Sequence, residues 1–464
     1  MVGGNGIVGP GSPRSVAGAA AAREAASAVP VAFPFQPLRA TDIWPDSTPR
    51  HRSGQPPPMI PKIVFDPAAP APLDGLRAVD LSRLVAGNVL SLQLADHGME
   101  VVKIEDPEKG DPLRAWRVKG QSLYWKVYAR NKKSLALNLR APEGLEVLRD
   151  LIARSHVLIE NFRPGTLEAM GLAPSVLLAR NPGLVIVRIS GFGQDGPYRD
   201  RPGFGSLVEG LSGFAAKNGF PDRPPVLPPL ALADMVAGLY GAYAVMVALR
   251  VAEQTGRGQE IDLPLLDPIA SILGPDAATF RVSGEKPRRS GSRSNTTVPR
   301  NVWETRDGRF IAISASMQSM AERLFRAIGR ADMIDDPRFR TNTDRLRNAD
   351  ACDEPVAAFI AARTLEENLA VFNAAEVTAA PVYEIDQFMD DPHVAARGVL
   401  VEAPDAEAGS VLMHNIIPRL SATPGRLRRP APGLGEHTAE ILAAIGCDPA
   451  RVAALRAAGV VRGD

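Results

Sequence analysis

The strongest constraint on the fold of this chain is an alternation of strand-like and helix-like segments that begins near residue 76. Residues 76–81, LRAVDL, have the pattern of a strand, and residues 86–98, AGNVLSLQLADHG, have that of a helix that stops at Gly98. A second strand pattern, MEVVKIE, follows at residues 99–105. Two strands joined through a helix run parallel in a sheet. The alternation therefore predicts an α/β protein with a parallel sheet.

The alternation continues through the first half of the chain and then gives way to other patterns. Helix patterns at 141–155 and 173–183 each precede a strand pattern, and a further strand is expected at 259–263. Beyond a polar linker, a strand pair that turns at Asp307 and Gly308, followed by several helices, predicts a smaller α+β domain. We predict five parts: a disordered or variable extension over 1–73, the first part of a large domain over 74–283, a linker over 284–299, a small domain over 300–400, and a C-terminal return to the large domain over 401–464.

Composition excludes several classes of protein. The net charge is +1 and 23% of the 464 residues are charged, which argues against a general affinity for nucleic acid or membrane surfaces. Two cysteines, Cys352 and Cys447, cannot build a disulfide framework, and no secretory signal pattern is present, so we expect a cytoplasmic protein. The sequence lacks spacings typical of metal ligands, such as CxxC and HExxH, and we expect no metal site.

A nearly continuous apolar stretch at residues 227–249, LPPLALADMVAGLYGAYAVMVAL, contains a single carboxylate, Asp234. Its length almost suffices to cross a membrane, but Asp234 and the preceding prolines favour a central buried helix of a soluble protein. Taken alone, Asp234 has two interpretations: it caps the N-terminus of that helix, or it is a functional carboxylate at the mouth of a buried segment. We expect Ala237, Gly238 and Gly241 to let the helix pack closely against its neighbours.

Residues 191–196, GFGQDG, match the GxGxxG pattern of dinucleotide-binding sites and follow a predicted strand. Such a site requires a helix that opens at the third glycine, so that the helix N-terminus meets the pyrophosphate. Here Pro197 and further loop residues follow instead. We therefore expect a loop whose glycines allow close approach to a ligand or to another stretch of backbone.

Eight segments that follow one another from about Leu73 to the C-terminus resemble the class III CoA-transferases, the CaiB/BaiF family. They are LDGLRAVDLSRLVAGN, ADHGMEVVKIEDPEKGDPLR, NKKSLALNLRAPEG, IENFRPGTLEAMGL, SGFGQDGPYRDRPGF, LADMVAGLYGAYAVMVAL, TGRGQEIDLPLLD and GLGEHTAEIL. The resemblance implies a Rossmann-like large domain with a parallel sheet, a smaller α+β domain and an interlocked homodimer. It also implies transfer of CoA from an acyl-CoA to a small carboxylic acid, with coenzyme A as co-substrate and no permanently bound cofactor.

The same resemblance implies roles for particular residues. Asp234 matches the catalytic aspartate, which forms an acyl-aspartyl anhydride and then an aspartyl-CoA thioester. A carboxylate in a dry pocket at a helix N-terminus is suited to this role, because it loses hydration but stays charged. For each basic residue, a solvated surface charge is the alternative. The implied CoA-binding residues are Arg83, Leu84, Ala86, Leu137, Arg140, Asn161, Phe162 and Met170.

Two other functions stay open. A racemase or epimerase of this family needs a second base, a histidine whose position holds Phe204 here; a phenyl ring accepts no proton, and Glu209 lies too far along the chain. The short linker segment RRSGSRSN motivates a non-catalytic relative that only binds acyl-CoA. Val85, Asp106 and Gly205 depart from formyl-CoA transferase, which argues against formyl-CoA and oxalate as substrates. His437, also a family feature, is expected to have a structural role at the start of a C-terminal helix.

Overall fold

The computed structural model of the protein describes residues 59–463. Six parallel strands form most of its largest sheet, and each pairs with its neighbours in register. Helices connect successive strands, as the alternation in the sequence predicts. The strands are β1 (Arg77–Asp80), β2 (Glu100–Glu105), β3 (Lys132–Leu137), β4 (Val157–Glu160), β5 (Val185–Ser190) and β6 (Glu260–Pro264).

Eight helices and one turn of 3₁₀ helix at Pro112–Ala115 lie in the connections between these strands, and two more helices follow β6. Buried aliphatic side chains of the strands and helices form two clusters, one on each face of the sheet. The helices are α1 (Ala86–Asp96), α2 (Leu123–Tyr128), α3 (Pro142–Ala153), α4 (Thr166–Ala169), α5 (Pro174–Arg180), α6 (Gly205–Leu211), α7 (Phe214–Lys217), α8 (Leu232–Thr255), and, beyond β6, α9 (Leu266–Ser271) and α10 (Asp276–Ser283).

Helix α8 is the apolar segment around Asp234, and it packs along α1. A Cβ atom on Gly238 would lie 2.7 Å from the side chain of Val89, and one on Gly241 would lie 2.3 Å from that of Leu90. The small residues therefore permit the close approach that the sequence predicts. Among the described helices, α8 is long and apolar enough to cross a membrane by length and composition.

The prediction that α8 is buried is only half right. One face lies in the core cluster with Ala237, Val245 and Leu249. The opposite face is open in the single chain although it is almost as apolar, because the apolar residues continue around the whole helix. Its exposed side chains are Leu239, Tyr240, Tyr243, Met246, Val247 and Val251.

The predicted second region has a separate cluster of buried apolar residues over 298–377. Its first two strands form an antiparallel hairpin that turns at Gly308, as predicted, and a third short strand joins them. The division of the chain into large and small domains stays a prediction. The elements are β7 (Arg300–Glu304), β8 (Phe310–Ser314), α11 (Gln318–Ala327), a 3₁₀ turn at Ala331–Ile334, α12 (Asn342–Arg347), α13 (Ala349–Ala361), α14 (Leu365–Ala374), β9 (Ala379–Pro381), α15 (Ile385–Met389) and α16 (Pro392–Arg397).

A hairpin of β10 (Leu400–Asp405) and β11 (Gly409–His414) follows and holds the first described residues. The backbone N–H of Ile63 donates to the carbonyl of Glu402 at 2.9 Å, and Phe65 packs beside Ile63 against the hairpin. Residues 61–65 of the predicted extension thus lie along this hairpin. Residues 1–58, for which disorder is predicted, lie outside the described residues.

The C-terminal segment returns to the largest sheet. It forms α17 (Thr438–Ala444), α18 (Pro449–Ala457) and β12 (Val461–Arg462), and β12 pairs antiparallel with β3. The complete strand order is β12-β3-β2-β1-β4-β5-β6. The α/β prediction with a mostly parallel sheet is therefore confirmed. Because the order reverses between β1 and β4, the carboxyl ends of these two strands flank the crevice where open α/β sheets bind ligands.

Candidate functional site

A cavity of about 350 Å³ opens at this crevice. The loops that follow β1, β4 and β5 form its walls, and the first turn of α8 contributes Asp234. The side chains and backbone that line it are Arg83, Leu84, Ala86, Pro112, Asn161, Phe162, Arg163, Pro164, Ile189, Ser190, Gly191, Arg199, Arg201, Pro202, Gly203, Phe204, Asp234 and Leu265.

Six of the nine predicted site residues meet at this cavity: Asp234, Arg83, Leu84, Ala86, Asn161 and Phe162. The other three do not line it in the described chain. Leu137 is buried in the core beside β3, and Met170 packs against the same core. Arg140 has a side chain that is 87% exposed and pairs with Asp106 at 3.4 Å. For these three residues, a role in CoA binding stays a prediction.

The capping interpretation of Asp234 is wrong. The N-cap of helix α8 is Ala231, whose side chain makes no capping hydrogen bond. Asp234 is the third residue of the helix. The carboxylate of Glu209, on α6, accepts a hydrogen bond from the backbone N–H of Ala233 at 3.0 Å. Glu209 therefore takes the role at this helix terminus that the sequence suggests for Asp234.

The electrostatic surroundings of Asp234 disfavour its charged form. Burial, followed by the like charge of Glu209, raises the pKa of Asp234 to about 6. Backbone N–H groups of Asp234 and Ala86 act in the opposite direction, because they hydrogen-bond the ionised form. No salt bridge joins Asp234 to a cation within residues 59–463. The carboxylate is thus largely ionised at neutral pH, but it is poorly hydrated.

Glycines near Asp234 leave the space that its carboxylate and the neighbouring loop occupy. A Cβ atom on Gly205 would lie 2.3 Å from Oδ2 of Asp234, so any larger residue would displace the carboxylate. In the loop after β5, a Cβ atom on Gly191 would lie 2.6 Å from the Cα of Gly203. The segment GFGQDG is therefore a loop, as predicted, and its first glycine allows contact with another stretch of backbone.

The side chain of Asn161 connects two walls of the cavity through hydrogen bonds. Its Oδ1 accepts from the N–H of Arg83 at 2.9 Å, and its Nδ2 donates to the carbonyl of Arg83 at 2.8 Å. The guanidinium of Arg83 also lies 5.8 Å from the ring centre of Phe162. Because these contacts join the loop after β1 to the loop after β4, they fix the width of the crevice at the point where the strand order reverses.

Sequence reasoning missed three arginines of the cavity: Arg163, Arg199 and Arg201. With Arg83 they bring four arginines to the lining of the cavity that contains Asp234. The guanidinium of Arg201 stacks on Tyr198 at 3.6 Å from the ring centre. The available signal was the position of each arginine in a Pro- and Gly-containing loop directly after a strand. Guanidinium groups are suited to bind phosphate and carboxylate oxygens.

Two other predicted features lie away from the cavity. His437 precedes α17 and accepts from the N–H of Ser134 at 3.4 Å, which fits the structural role expected for it. In the linker over 284–299, Arg293 pairs with Asp353 at 2.9 Å. No residue of this linker lines the cavity within the described part of the chain.

Comparison with known proteins agrees with this geometry. A family model described as CoA-transferase family III matches residues 73–438. The succinyl-CoA–D-citramalate CoA-transferase of Chloroflexus aurantiacus is 38% identical over 375 residues, which cover 80% of this chain and 93% of that protein. The succinate–glutarate CoA-transferase of Agrobacterium fabrum is 36% identical over 386 residues, which cover 80% and 95%.

A solved structure shows the same fold. The crystal structure of a CaiB/BaiF family protein from Brucella suis aligns with a TM-score of 0.71 at 33% identity, and the alignment covers 81% of this chain and 99% of that one. The resemblance of the eight segments is therefore confirmed over most of the chain. The chain belongs to CoA-transferase family III.

Proposed function

We propose that this protein transfers CoA from an acyl-CoA thioester to a carboxylic acid, with Asp234 as the nucleophile. The observation that carries the proposal is the position of Asp234 at the cavity where the strand order reverses. Its carboxylate is largely buried and forms no salt bridge with a cation within residues 59–463. Removal of water from a carboxylate increases its reactivity toward a carbonyl group. A pKa of about 6 keeps most of it ionised at neutral pH.

The reaction proceeds through covalent intermediates on Asp234. An oxygen of Asp234 attacks the thioester carbonyl, the carbon–sulfur bond breaks, and CoA thiolate leaves behind a mixed anhydride. The thiolate then attacks the carbonyl carbon of Asp234, and the donor acid leaves with one oxygen that came from Asp234. The acceptor carboxylate attacks the aspartyl-CoA thioester and releases the thiolate. This step forms a second anhydride, between Asp234 and the acceptor. The thiolate attacks the acceptor carbonyl of this anhydride, which gives the CoA thioester of the acceptor and leaves one acceptor oxygen on Asp234.

We propose dicarboxylic acids and their CoA thioesters as the substrates. Relatives are named for succinyl-CoA with citramalate and for succinate with glutarate. Each of these acids keeps a second carboxylate while the first one reacts. Arg199 and Arg201 line the cavity that contains Asp234 and are suited to bind that second carboxylate.

Substrate preference tests this assignment. In Arg199→Met and Arg201→Met, we expect the ratio of kcat/KM for succinyl-CoA over butyryl-CoA to fall about 10-fold or more, because a bound carboxylate loses its charged partner. Arg223→Met is the matched control, since Arg223 pairs with Asp222 away from the cavity. An unchanged ratio in both cavity variants would contradict a dicarboxylate substrate.

We further propose that the protein is an interlocked homodimer in the cytoplasm. The exposed apolar face of α8 supports a second copy, because soluble chains seldom leave large contiguous apolar patches in water. Light scattering of the purified protein should give twice the mass of one chain at micromolar concentration. A monomer that is fully active would contradict the dimer.

Trapping of the intermediate tests the central proposal. The protein is incubated with a panel of acyl-CoAs, quenched with hydroxylamine, and digested for peptide mass spectrometry. We expect a hydroxamate at Asp234, and none in Asp234→Asn. CoA binding without modification would favour a protein that only binds acyl-CoA. Exchange of the α-proton in deuterated water would favour the racemase.

A further inference from the structure

A cluster of buried charges lies next to the loop that follows β1, which forms one wall of the cavity. Lys103, on β2, is fully buried. Its Nζ lies 3.3 Å from Oδ1 of Asp80, on β1, and 3.1 Å from Oδ2 of Asp111. Burial of such a group of charges is costly unless every atom is paired. The covalent mechanism proposed for Asp234 uses none of these residues, so the cluster needs another explanation.

The carboxylate of Asp111 is hydrogen-bonded to the loop that follows β1. Its Oδ1 accepts from the backbone N–H of Leu84 at 3.1 Å and from that of Leu113 at 2.8 Å. Its Oδ2 accepts from Nδ2 of Asn88 at 2.9 Å. The same amide nitrogen of Asn88 donates to the carbonyl of Leu84 at 2.6 Å. Both polar backbone groups of Leu84 are therefore held by one small network.

Leu84 needs this support because its backbone is left-handed, with φ of +64°. A residue with a Cβ atom pays about 1 kcal/mol or more for this conformation. Lys103 fixes the start of the same loop through a hydrogen bond to the carbonyl of Ser82. Two residues beyond Leu84, Ala86 lines the cavity beside Asp234, and its carbonyl lies 2.9 Å from the place of a Cβ atom on Gly238, one turn along α8. The backbone N–H of Ala86 lowers the pKa of the Asp234 carboxyl.

We propose that Asp111, anchored by Lys103, is a positioning residue of the transfer reaction: it holds Leu84 in the left-handed conformation and thereby aims the N–H of Ala86 at Asp234. This inference rests on the function proposed for Asp234. The N–H stabilises the ionised form of the nucleophile, so a larger fraction of Asp234 is ready to attack at mildly acidic pH. Loss of the anchor raises the pKa of Asp234 and slows its acylation.

Other charged groups face the two carboxylates and stay in place in the test. Glu209 faces Asp234 from α6, and Arg83, Arg163, Arg199 and Arg201 line the same cavity. Around Asp111, Glu105 accepts from the backbone N–H of Asp111 at 2.9 Å. Lys132 lies 3.9 Å from Asp80 on the far side of Asn88.

The test compares two buried aspartates that are both bonded to a buried cation. Asp111→Asn breaks the proposed anchor. Asp96→Asn is the matched control, because Asp96 lies at the other end of α1 and binds the fully buried Arg130 at 2.6 Å without any contact to the loop. The readout is the rate of Asp234 acylation in a single turnover from pH 5 to pH 9.

For Asp111→Asn we expect acylation at pH 8 to slow about 10-fold or more, because the loop that lines the cavity beside Asp234 is displaced. We also expect the acidic limb of the profile of acylation rate against pH to move upward by roughly half a pH unit, because the ionised nucleophile loses a hydrogen-bond donor. Asp96→Asn should leave the limb in place. The inference is overturned if Asp111→Asn leaves the limb in place too.

A second variant covers the case in which Asp111→Asn does not fold. Asn88→Ala removes the amide that joins Asp111 to Leu84 and leaves the ion pair of Lys103 and Asp111 intact. We expect the same upward shift of the limb, and an unmoved limb would overturn the inference. Failure of the wild-type protein to acylate Asp234 with any acyl-CoA would instead overturn the function on which the inference rests.

Discussion

Two aspartates on either side of one loop, Asp111 and Asp234, show opposite uses of a buried carboxylate. Burial raises the pKa of Asp111, but the charge of Lys103 and the hydrogen bonds from Leu113, Asn88 and Leu84 outweigh it, so its pKa lies below the ordinary value. Asp234 has a buried carboxylate as its neighbour, Glu209, in place of a cation, and its pKa rises to about 6.

The difference separates a carboxylate that holds structure from the one that we propose as the nucleophile. Every lone pair of Asp111 that points into the protein has a donor, so the group is stable and inert. Asp234 lines the cavity and forms no salt bridge with a cation within residues 59–463, which fits the nucleophilic role that we propose for it. The predictions below test this contrast, in order of expected effect.

The largest effect should come from removal of the reactive carboxylate. Asp234→Asn keeps the size of the side chain but removes its nucleophilic oxygen, so kcat for CoA transfer should fall about a thousandfold or more. Steady-state transfer measures the loss, and calorimetry with CoA should show that binding is retained. Residual activity within tenfold of the wild type would remove Asp234 from the mechanism.

Displacement of the same carboxylate should cost less than its removal. In Gly205→Ala, the new methyl group would lie 2.3 Å from Oδ2 of Asp234 and push it away. We expect kcat to fall about a hundredfold, the usual consequence of a misplaced reacting group. Gly210→Ala, on the same helix, is the control, since a Cβ atom there meets nothing within 4 Å. Equal rates for the two variants would contradict the close contact.

Stability should respond to pH with opposite signs at the two carboxylates. The folded pKa of Asp234 is raised from 3.8 to about 6, so the ionised group destabilises the fold above pH 6 by about 2–3 kcal/mol at most. Asp234→Asn should therefore be more stable than the wild type at pH 8, with about half of the gain left at pH 5.

The folded pKa of Asp111 is lowered, so its ionised form stabilises the fold above its ordinary value of 3.8, and this stability is lost as the pH falls through the folded pKa. Asp111→Asn should be less stable than the wild type at pH 8. Urea unfolding at both pH values measures each difference. A shift of the same sign in the two variants would refute the contrast.

The smallest effect should come from the neighbour of Asp234. Glu209→Gln removes the like charge but keeps an oxygen that can accept from the N–H of Ala233. The pKa of Asp234 should fall, and the acidic limb of the acylation rate should move downward by roughly half a pH unit. Circular dichroism checks that α8 is unchanged. An upward shift would mean that Glu209 does not raise the pKa of Asp234.

The sequence predicts the strands around the site well, because each strand is a short apolar run followed by a helix. It also finds Asp234, since a lone carboxylate in an apolar segment is conspicuous. The same patterns cannot show that Glu209 occupies the helix terminus, because that contact joins residues 24 positions apart and depends on the path of the loop between them.

Other parts of the prediction fail for a related reason. Periodicity cannot distinguish the face of α8 that meets the core from the face that is exposed in the single chain, since both faces are apolar. Arg199 and Arg201 look like ordinary loop charges until the loop after β5 folds back over the crevice. Leu137 follows the alternation of β3 into the core, away from the cavity.

The most direct test of the account follows oxygen atoms rather than rates. The protein turns over succinyl-CoA with an acceptor acid whose carboxylates carry oxygen-18, and the peptide that contains Asp234 is then weighed by mass spectrometry. If Asp234 forms both anhydrides, its side chain gains one oxygen-18, and later turnovers pass that label to the released succinate. Transfer of CoA with an unlabelled Asp234 and unlabelled succinate would contradict the covalent route.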